Sequence, residues 1–287
     1  MRNTALPSPS LSNLPGPACD SLVALGTGAA MVTEYYNTCF ALRGRDGSLF
    51  LTDGGGGGGI MAQFRRAGLD WRDLKGMFVT HCHCDHLLGA VWAVRKLASM
   101  LLRKEREDGM SIYALPEVAE NLRAICSLTL GPKENSVLGG PLRIEAVRDG
   151  ETRAVAGREI TFFDIHSRKT PQFGFSTRLE NGKNFVCLGD EPFDERCAPY
   201  AQGARWLAGE AYCLDSMRDL FHPEKIRHST VKETAENAER LGVKNLILWH
   251  TEDRATFGRR KELFSKEARQ YYSGNVFVPD DLESIIL

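Results

Sequence analysis

The chain has 287 residues, 43% of them hydrophobic and 25% charged, with 36 basic side chains against 37 acidic ones. That length accommodates one large domain or two small ones with a sizeable core, and the balance of charge excludes general disorder and a polyelectrolyte character, so any nucleic-acid binding has to come from a local patch. No apolar run approaches the roughly 18 residues a membrane helix needs, and the opening "MRNTALPSPSLSNLPGPACD" has Pro, Ser and Asn where a secretory signal carries its apolar stretch.

Residues 1 to about 20 read as a flexible extension outside the fold, which leaves 21–287 as a single domain. "SLVALGTG" reads as a strand and a tight turn, and "NTCFALRGRDGSLFLTDGG" as two strands joined at Asp46-Gly47. "IMAQFRRAG" is a short helix ending at Gly68, and "GMFVTH" an apolar strand that delivers the chain to His81. From His86 to about Glu107 the apolar period predicts a long amphipathic helix. "SIYAL" and "PEVAENLRAICSLTL" follow as strand and helix, and "GPKENSVLGG" as a loop. "PLRIEAV" and "EITFFDIH" are strands, "FGFSTRLENGKNFVCLGD" a hairpin around Asn181-Gly182, and "WLAGEAYCL" a further strand. "TVKETAENAERLG" is a helix with Thr230 and Glu233 spaced as a capping box, "VKNLILWH" a buried strand, "RATFGRRKELFSKEARQYYSG" a helix closed by Gly274, and "NVFVPDDLESIIL" a tail. Strand-rich blocks punctuated by helices predict an α+β fold, two mixed sheets packed together with helices outside.

"THCHCDHLLG", residues 80–89, places His81, His83, Asp85 and His86 within six positions. Alternate side chains of an extended segment point the same way, so His81 and His83 can reach one metal ion, while Asp85 and His86 come round to a second position where the helix begins. As a merely polar loop the cluster would gather desolvated, like-charged groups without compensation. More ligand types stand at a recurring address: "ITFFDIH" ends in His166, "NFVCLGD" in Asp190 and "NLILWH" in His250, each an apolar strand with a metal-type residue at its C-terminal end. If these strands lie side by side, their ends converge on one rim.

These residues carry a resemblance. "THCHCDHLLGA" has the His-x-His-x-Asp-His signature of the metallo-β-lactamase fold superfamily, and "LGTG", "LTDGG", "CLGD" and "LILWHTE" stand in that superfamily's order, over about residues 21 to 287. The resemblance implies an αββα sandwich with a first metal held by His81, His83 and His166, a second held by Asp85, His86 and His250, Asp190 bridging the two, and Asp53 supporting the ligands from behind. Zinc is the expected ion, and manganese or iron fits the same ligands. "GEAYCLD" followed by "RHSTVKETAENAERLGVKNLILWHTED" is similar to the segment of ribonuclease Z and related phosphodiesterases in which Glu-Ala is followed by His-Ser-Thr, a helix and the last metal histidine. That similarity implies a proton-transfer role for His228, oriented by Glu210 or Asp215. Two departures stand out: His166 to Asp190 is filled by one hairpin where ribonuclease Z has a long transfer-RNA-gripping arm, and "HSRKTPQFGF" holds extra residues between His166 and Phe173-Gly174.

Divalent cations that share a water lower its pKa towards neutrality, and the bridging hydroxide so formed is the expected nucleophile, with Asp85 orienting it and His228 serving the leaving alkoxide. The favoured reading is a binuclear metal-dependent phosphodiesterase acting on a small molecule or a nucleic acid. An acyl hydrolase such as a lactonase or thioesterase shares the ligands without needing His228, and a non-catalytic metal-binding protein is a further alternative. His83 argues against an oxygen-reducing diiron protein, whose relatives usually carry glutamate there. "DGGGGGGI" lacks the Lys-Ser or Lys-Thr of a phosphate loop, so its glycines are expected to let the backbone pass close to the metal rim. Cys82 and Cys84 are expected to face away as buried structural cysteines, and His222 to lie on the surface. Arg95-Lys96, Arg103-Lys104-Arg106 and Arg259-Arg260-Lys261 are runs that could face RNA but read as solvated helix surface. Eight cysteines without a C-x-x-C pair suit a reducing cytoplasm, and a homodimer is expected by family analogy alone.

Overall fold

The structure is a computed structural model and describes residues 19–287. The expected N-terminal extension lies outside the described residues up to position 18. At its end Asp20 is buried, paired with Arg158 and accepting the Glu180 N–H at 2.6 Å, so the fold takes hold of the chain there.

Fourteen strands form two seven-stranded sheets. The first contains β1 (Ser21–Gly26), β2 (Cys39–Arg43), β3 (Leu49–Thr52), β4 (Leu74–Val79), β5 (Met110–Ala114) and β6 (Leu142–Ala146) in that order, with β14 (Ser284–Ile286) beside β1. The second runs from β7 (Thr152–Val155) through β8 (Arg158–Asp164), β9 (Phe173–Arg178), β10 (Asn184–Cys187), β11 (Trp206–Glu210) and β12 (Asn245–Trp249) to β13 (Asn275–Phe277). Both sheets are mixed: β3 to β6 are parallel, as are β10 to β13, and the remaining pairings are antiparallel. The apolar runs of β3, β5, β11 and β12 are buried on both faces, as strands covered by a helix layer on one side and a sheet on the other must be.

Between the sheets, the Phe175 ring meets Phe40, Phe50 and Phe78 at centroid distances of 6.3, 5.5 and 5.9 Å. Truncating such a ring to alanine costs about 3–5 kcal/mol. Helices α1 (Gly59–Arg66), α2 (Cys84–Leu102) and α3 (Pro116–Thr129) cover the outer face of the first sheet, and α4 (Val231–Arg240) and α5 (Arg260–Ala268) cover that of the second. The layers therefore run helix, sheet, sheet, helix, and no helix among the described residues is long and apolar enough to cross a membrane.

Several boundaries differ from those expected. The segment "TRAV" becomes β7, and the tail supplies β13 and β14, three-residue edge strands too short for a period of two to be read. α2 begins at Cys84 and stops at Leu102, because Lys104 turns left-handed (φ 55°) where no glycine signals a stop. The last helix is confined to Arg260–Ala268, since Gly258 at φ 75° interrupts the pattern before it.

The parallel registers bring the C-terminal ends of β3, β4, β10, β11 and β12 to one edge of the sandwich. Side chains just beyond those ends form the site described next, the usual place for a ligand in a parallel sheet.

Candidate metal centre

Four residues separate β4 from α2, so the chain leaves the strand through His81 and His83 and places Asp85 and His86 in the first helical turn. Three groups of ligand atoms lie within 4.8 Å of one another among the described residues: His81, His83 and Asp190; Asp85, His86 and His250; and Asp190, His228 and His250. Asp190 is the hub. Its Oδ1 stands 3.7 Å from His81 Nε2, and its Oδ2 stands 3.4 Å from His250 Nε2 and 3.8 Å from His86 Nε2.

Three of these imidazoles are aimed by the groups behind them. Thr80 Oγ1 donates to Asp53 and accepts from the His81 Nδ1–H at 2.9 Å; Thr38 Oγ1 donates to the Gly28 carbonyl and accepts from the His250 Nδ1–H at 3.2 Å. The His86 Nδ1–H donates to Asp53 Oδ2 at 2.8 Å. His81 and His250 are thereby held with Nε2 as a lone pair facing Asp190, the tautomer a cation requires, and Asp53 fixes the His86 ring with its Nε2 on the same side. His83, half-buried, brings its Nδ1 to 3.0 Å from His81 Nε2. His86 Nε2 and Asp190 Oδ1 are buried without a hydrogen-bond partner, an arrangement that costs free energy unless a cation fills it. The residues present fit divalent metal.

Electrostatics point the same way. Burial holds His81 and His83 below the ordinary imidazole range and pushes His250 down to about 3, so these rings are neutral. Burial also opposes charge on Asp190 and Asp85, yet the charged His86, joined at Asp190 by Lys169, outweighs it and holds both carboxyls well below their usual range. For His86, burial is overcome by Asp53 and Asp85, which hold it well above the ordinary value.

Beside this centre, His228 packs between Tyr212 and His250 at ring-centroid distances of 5.2 and 5.1 Å. Its Nδ1 faces Glu210 Oε2 at 3.6 Å, and Glu210 also accepts the Ser229 N–H. Burial works against a charge on His228, but Glu210 outweighs it and raises the imidazole above its ordinary value; burial raises Glu210 itself. Asp215 is engaged elsewhere, with Arg218 at 3.0 Å and Thr230.

His166 belongs to none of the three groups: its backbone is left-handed (φ 60°) and its Nδ1 lies 3.5 Å from Asp164. The Asp164 carboxylate also accepts the His166 N–H at 2.7 Å, so backbone and ring of this histidine are both turned to Asp164. Cys82, expected to be buried, is half-buried and accepts from Asn121 Nδ2 at 3.0 Å, while Cys84 is exposed. Both stand outside the donor groups. His222 lies on the surface beside Glu224. The basic runs are not uniformly solvated: Arg106 is buried on the Trp71 carbonyl, and Arg260 is buried among Thr27, Thr251 and Pro279. The glycine run does pass close to the site, since Gly54 meets Gly89 backbone to backbone and donates to the His86 carbonyl at 2.9 Å.

Sequence reasoning missed Thr38, Thr80, Lys169 and Glu191. Thr80 was signalled only by standing next to His81 and Thr38 by lying in a predicted strand, while Lys169 sits in the run after His166 and Glu191 directly follows Asp190.

A four-layer sandwich with histidines and aspartates gathered beyond its strand ends defines a protein of the metallo-β-lactamase fold with donors placed to hold metal. The chain belongs to the beta-lactamase superfamily, whose domain model matches residues 49–251. It is 26% identical over 314 residues to ribonuclease Z of Halorubrum lacusprofundi, covering 90% of this chain and 94% of the relative. Among solved structures, the metallo-beta-lactamase fold protein YhfI of Bacillus subtilis superposes with a TM-score of 0.76 at 14% identity, covering 93% of this chain and 99% of that one. The short form of human tRNase Z gives a TM-score of 0.68 at 20% identity, covering 92% and 98%. These superpositions establish the fold, and the chain is similar along most of its length to ribonuclease Z.

Proposed function

We propose that the protein is a binuclear metal-dependent phosphodiesterase. The observation that supports this reading most is Asp190, whose two oxygens face His81 on one side and His86 and His250 on the other, with the His228–Glu210 pair at the same edge. In this reading His81, His83 and Asp190 hold one cation and Asp85, His86, His250 and Asp190 the other.

Cations bound there would lower the pKa of a water and neutralise charge on the attacked phosphoryl group. Asp85, kept ionised by His86, accepts a hydrogen bond from the attacking water and so orients it. As the new O–P bond forms, the water's proton passes to solvent. As the ester P–O bond breaks, the departing oxygen takes a proton from His228, whose charged form Glu210 favours. A thioesterase, whose leaving thiolate departs readily without a proton, has less use for this imidazole–carboxylate pair.

The 166–190 segment holds only a loop and the β9–β10 hairpin. The proposed substrate is therefore a phosphodiester, small or at a nucleic-acid end, that reaches the rim without a long protein arm. Zinc-, manganese- or iron-reconstituted protein assayed in parallel on bis(p-nitrophenyl) phosphate, a lactone and a thioester tests the reading. Preference for the phosphodiester is expected; preference for an acyl compound overturns it.

A further inference from the structure

The run after His166 places a cationic side chain inside the site. Ser167, Arg168 and Lys169 fold around the buried carboxylate of Glu191: the Ser167 hydroxyl and the N–H groups of Arg168 (3.0 Å) and Lys169 (3.1 Å) all donate to it. Ser167 Oγ in turn accepts from the N–H groups of Lys169 and Thr170 at 3.3 Å each. Glu191 directly follows Asp190, so the residue next to the hub carboxylate fixes the backbone from which Lys169 projects. The Lys169 Nζ stands 3.7 Å from Asp190 Oδ2 and 3.4 Å from His228 Nε2, and the side chain is only 17% exposed.

A lysine of this length ordinarily extends its ammonium into water while its stem covers apolar surface. Here the ammonium is turned inwards, beside an oxygen that also faces His86 and His250. Fixing it costs side-chain entropy, and its charge opposes cations collected by the same carboxylate. A resident anion is already present in Asp190, yet neutralising that anion is the task of the metals. The position makes sense for a visiting anion that lodges between the hub carboxylate and the imidazole serving the leaving group.

We infer that Lys169 is a substrate-binding residue whose ammonium grips a non-bridging oxygen of the scissile phosphoryl group between Asp190 and His228. It exchanges its contact with Asp190 for the incoming oxygen, donates hydrogen bonds and keeps its protons. The compact ammonium, with three donors, suits a single phosphoryl oxygen. The extra residues between His166 and Phe173 thus acquire a purpose: they form the Glu191-bound turn that carries Lys169 to the rim.

This inference rests on the phosphodiesterase reading for the identity of the bound group, and its test separates the two. Inorganic phosphate is titrated calorimetrically into metal-loaded wild type, Lys169→Met and Lys169→Arg, with metal per chain measured on the same samples. The Met variant is expected to bind phosphate about tenfold more weakly or worse, the scale of losing a hydrogen bond to a charged group. Its KM for bis(p-nitrophenyl) phosphate should rise in parallel, its metal content should match wild type, and the Arg variant should recover most of the affinity. Unchanged phosphate affinity in the Met variant, altered metal content in place of altered affinity, or no phosphate binding by wild type overturns the inference. Lys169-dependent phosphate binding by a protein that cleaves no phosphodiester would uphold the anion grip while sinking the phosphodiesterase reading.

Discussion

The two ligand groups that share Asp190 are built differently. Asp85, His86 and His250 are buried and backed: Asp53 holds His86, Thr38 holds His250, and both supports stand at or next to a strand. On the other side His81 is equally buried and held by Thr80, but His83 is half-buried with only His81 against its ring nitrogen, and His166 stays apart. Donors delivered by adjacent parallel strands are oriented by the sheet itself. His166 is held instead by Asp164, and the turn that follows it by Glu191. One side of the centre is thus rigid before any cation arrives, and the other keeps an open flank beside Lys169.

This contrast can be pressed experimentally. The greatest loss is expected on the backed side: His250→Ala should reduce phosphodiester turnover by about a thousandfold, the upper range for removing a fixed electrostatic group, and should lower metal content as measured by atomic emission. His228→Ala should reduce turnover by about a hundredfold while metal content stays at the wild-type level; loss of metal would instead make His228 a ligand. Asp53→Ala, which frees both His86 and the Thr80 support of His81, should weaken metal binding by roughly 10–100-fold. His83→Ala should cost less than Asp53→Ala, and the reverse order in zinc titrations would show the open side to be the dominant one.

The smallest effect expected is on the stability of the metal-free protein in acid. His250 has a folded-state pKa of about 3 against an ordinary 6.5, so between those values the unfolded chain binds the proton and the folded chain does not. Its contribution is fully present above pH 6.5 and is lost as pH falls towards 3. His86, raised, works the other way, its contribution being lost as pH rises through its folded-state value. Comparing wild type with His250→Gln isolates the first: the variant's melting temperature should fall less on acidification, and parallel curves would contradict the assignment.

Much of the centre was legible because it obeys a simple rule. An apolar run followed by a ligand-type residue marks the end of a buried strand, and β4, β10 and β12 all follow it, so His81, Asp190 and His250 could be placed at one rim before any coordinates. A ligand-type residue also follows β8, but there the Asp164 carboxylate engages both the N–H and the ring of His166 and keeps it apart. The helix period exposed α2 and α3 but not where α2 stops, because Lys104 adopts a backbone conformation its sequence does not advertise. β7, β13 and β14 escaped because edge strands of three or four residues gain their stability from the neighbour they pair with, which is a tertiary fact. Arg260 shows the same limit for charge: its run read as solvated helix surface, and it is drawn inwards by the Pro279 carbonyl and the Tyr35 ring.

The central claim is that Asp190 unites the ligand groups around a pair of cations, and metal per chain is its most direct measure. Metal-free wild type and Asp190→Ala are dialysed against zinc, washed free of excess and analysed by atomic emission alongside circular dichroism. Wild type should retain a pair of cations and the equally folded variant should lose at least one; a metal-free wild type, or a variant that retains the full complement, would contradict the account.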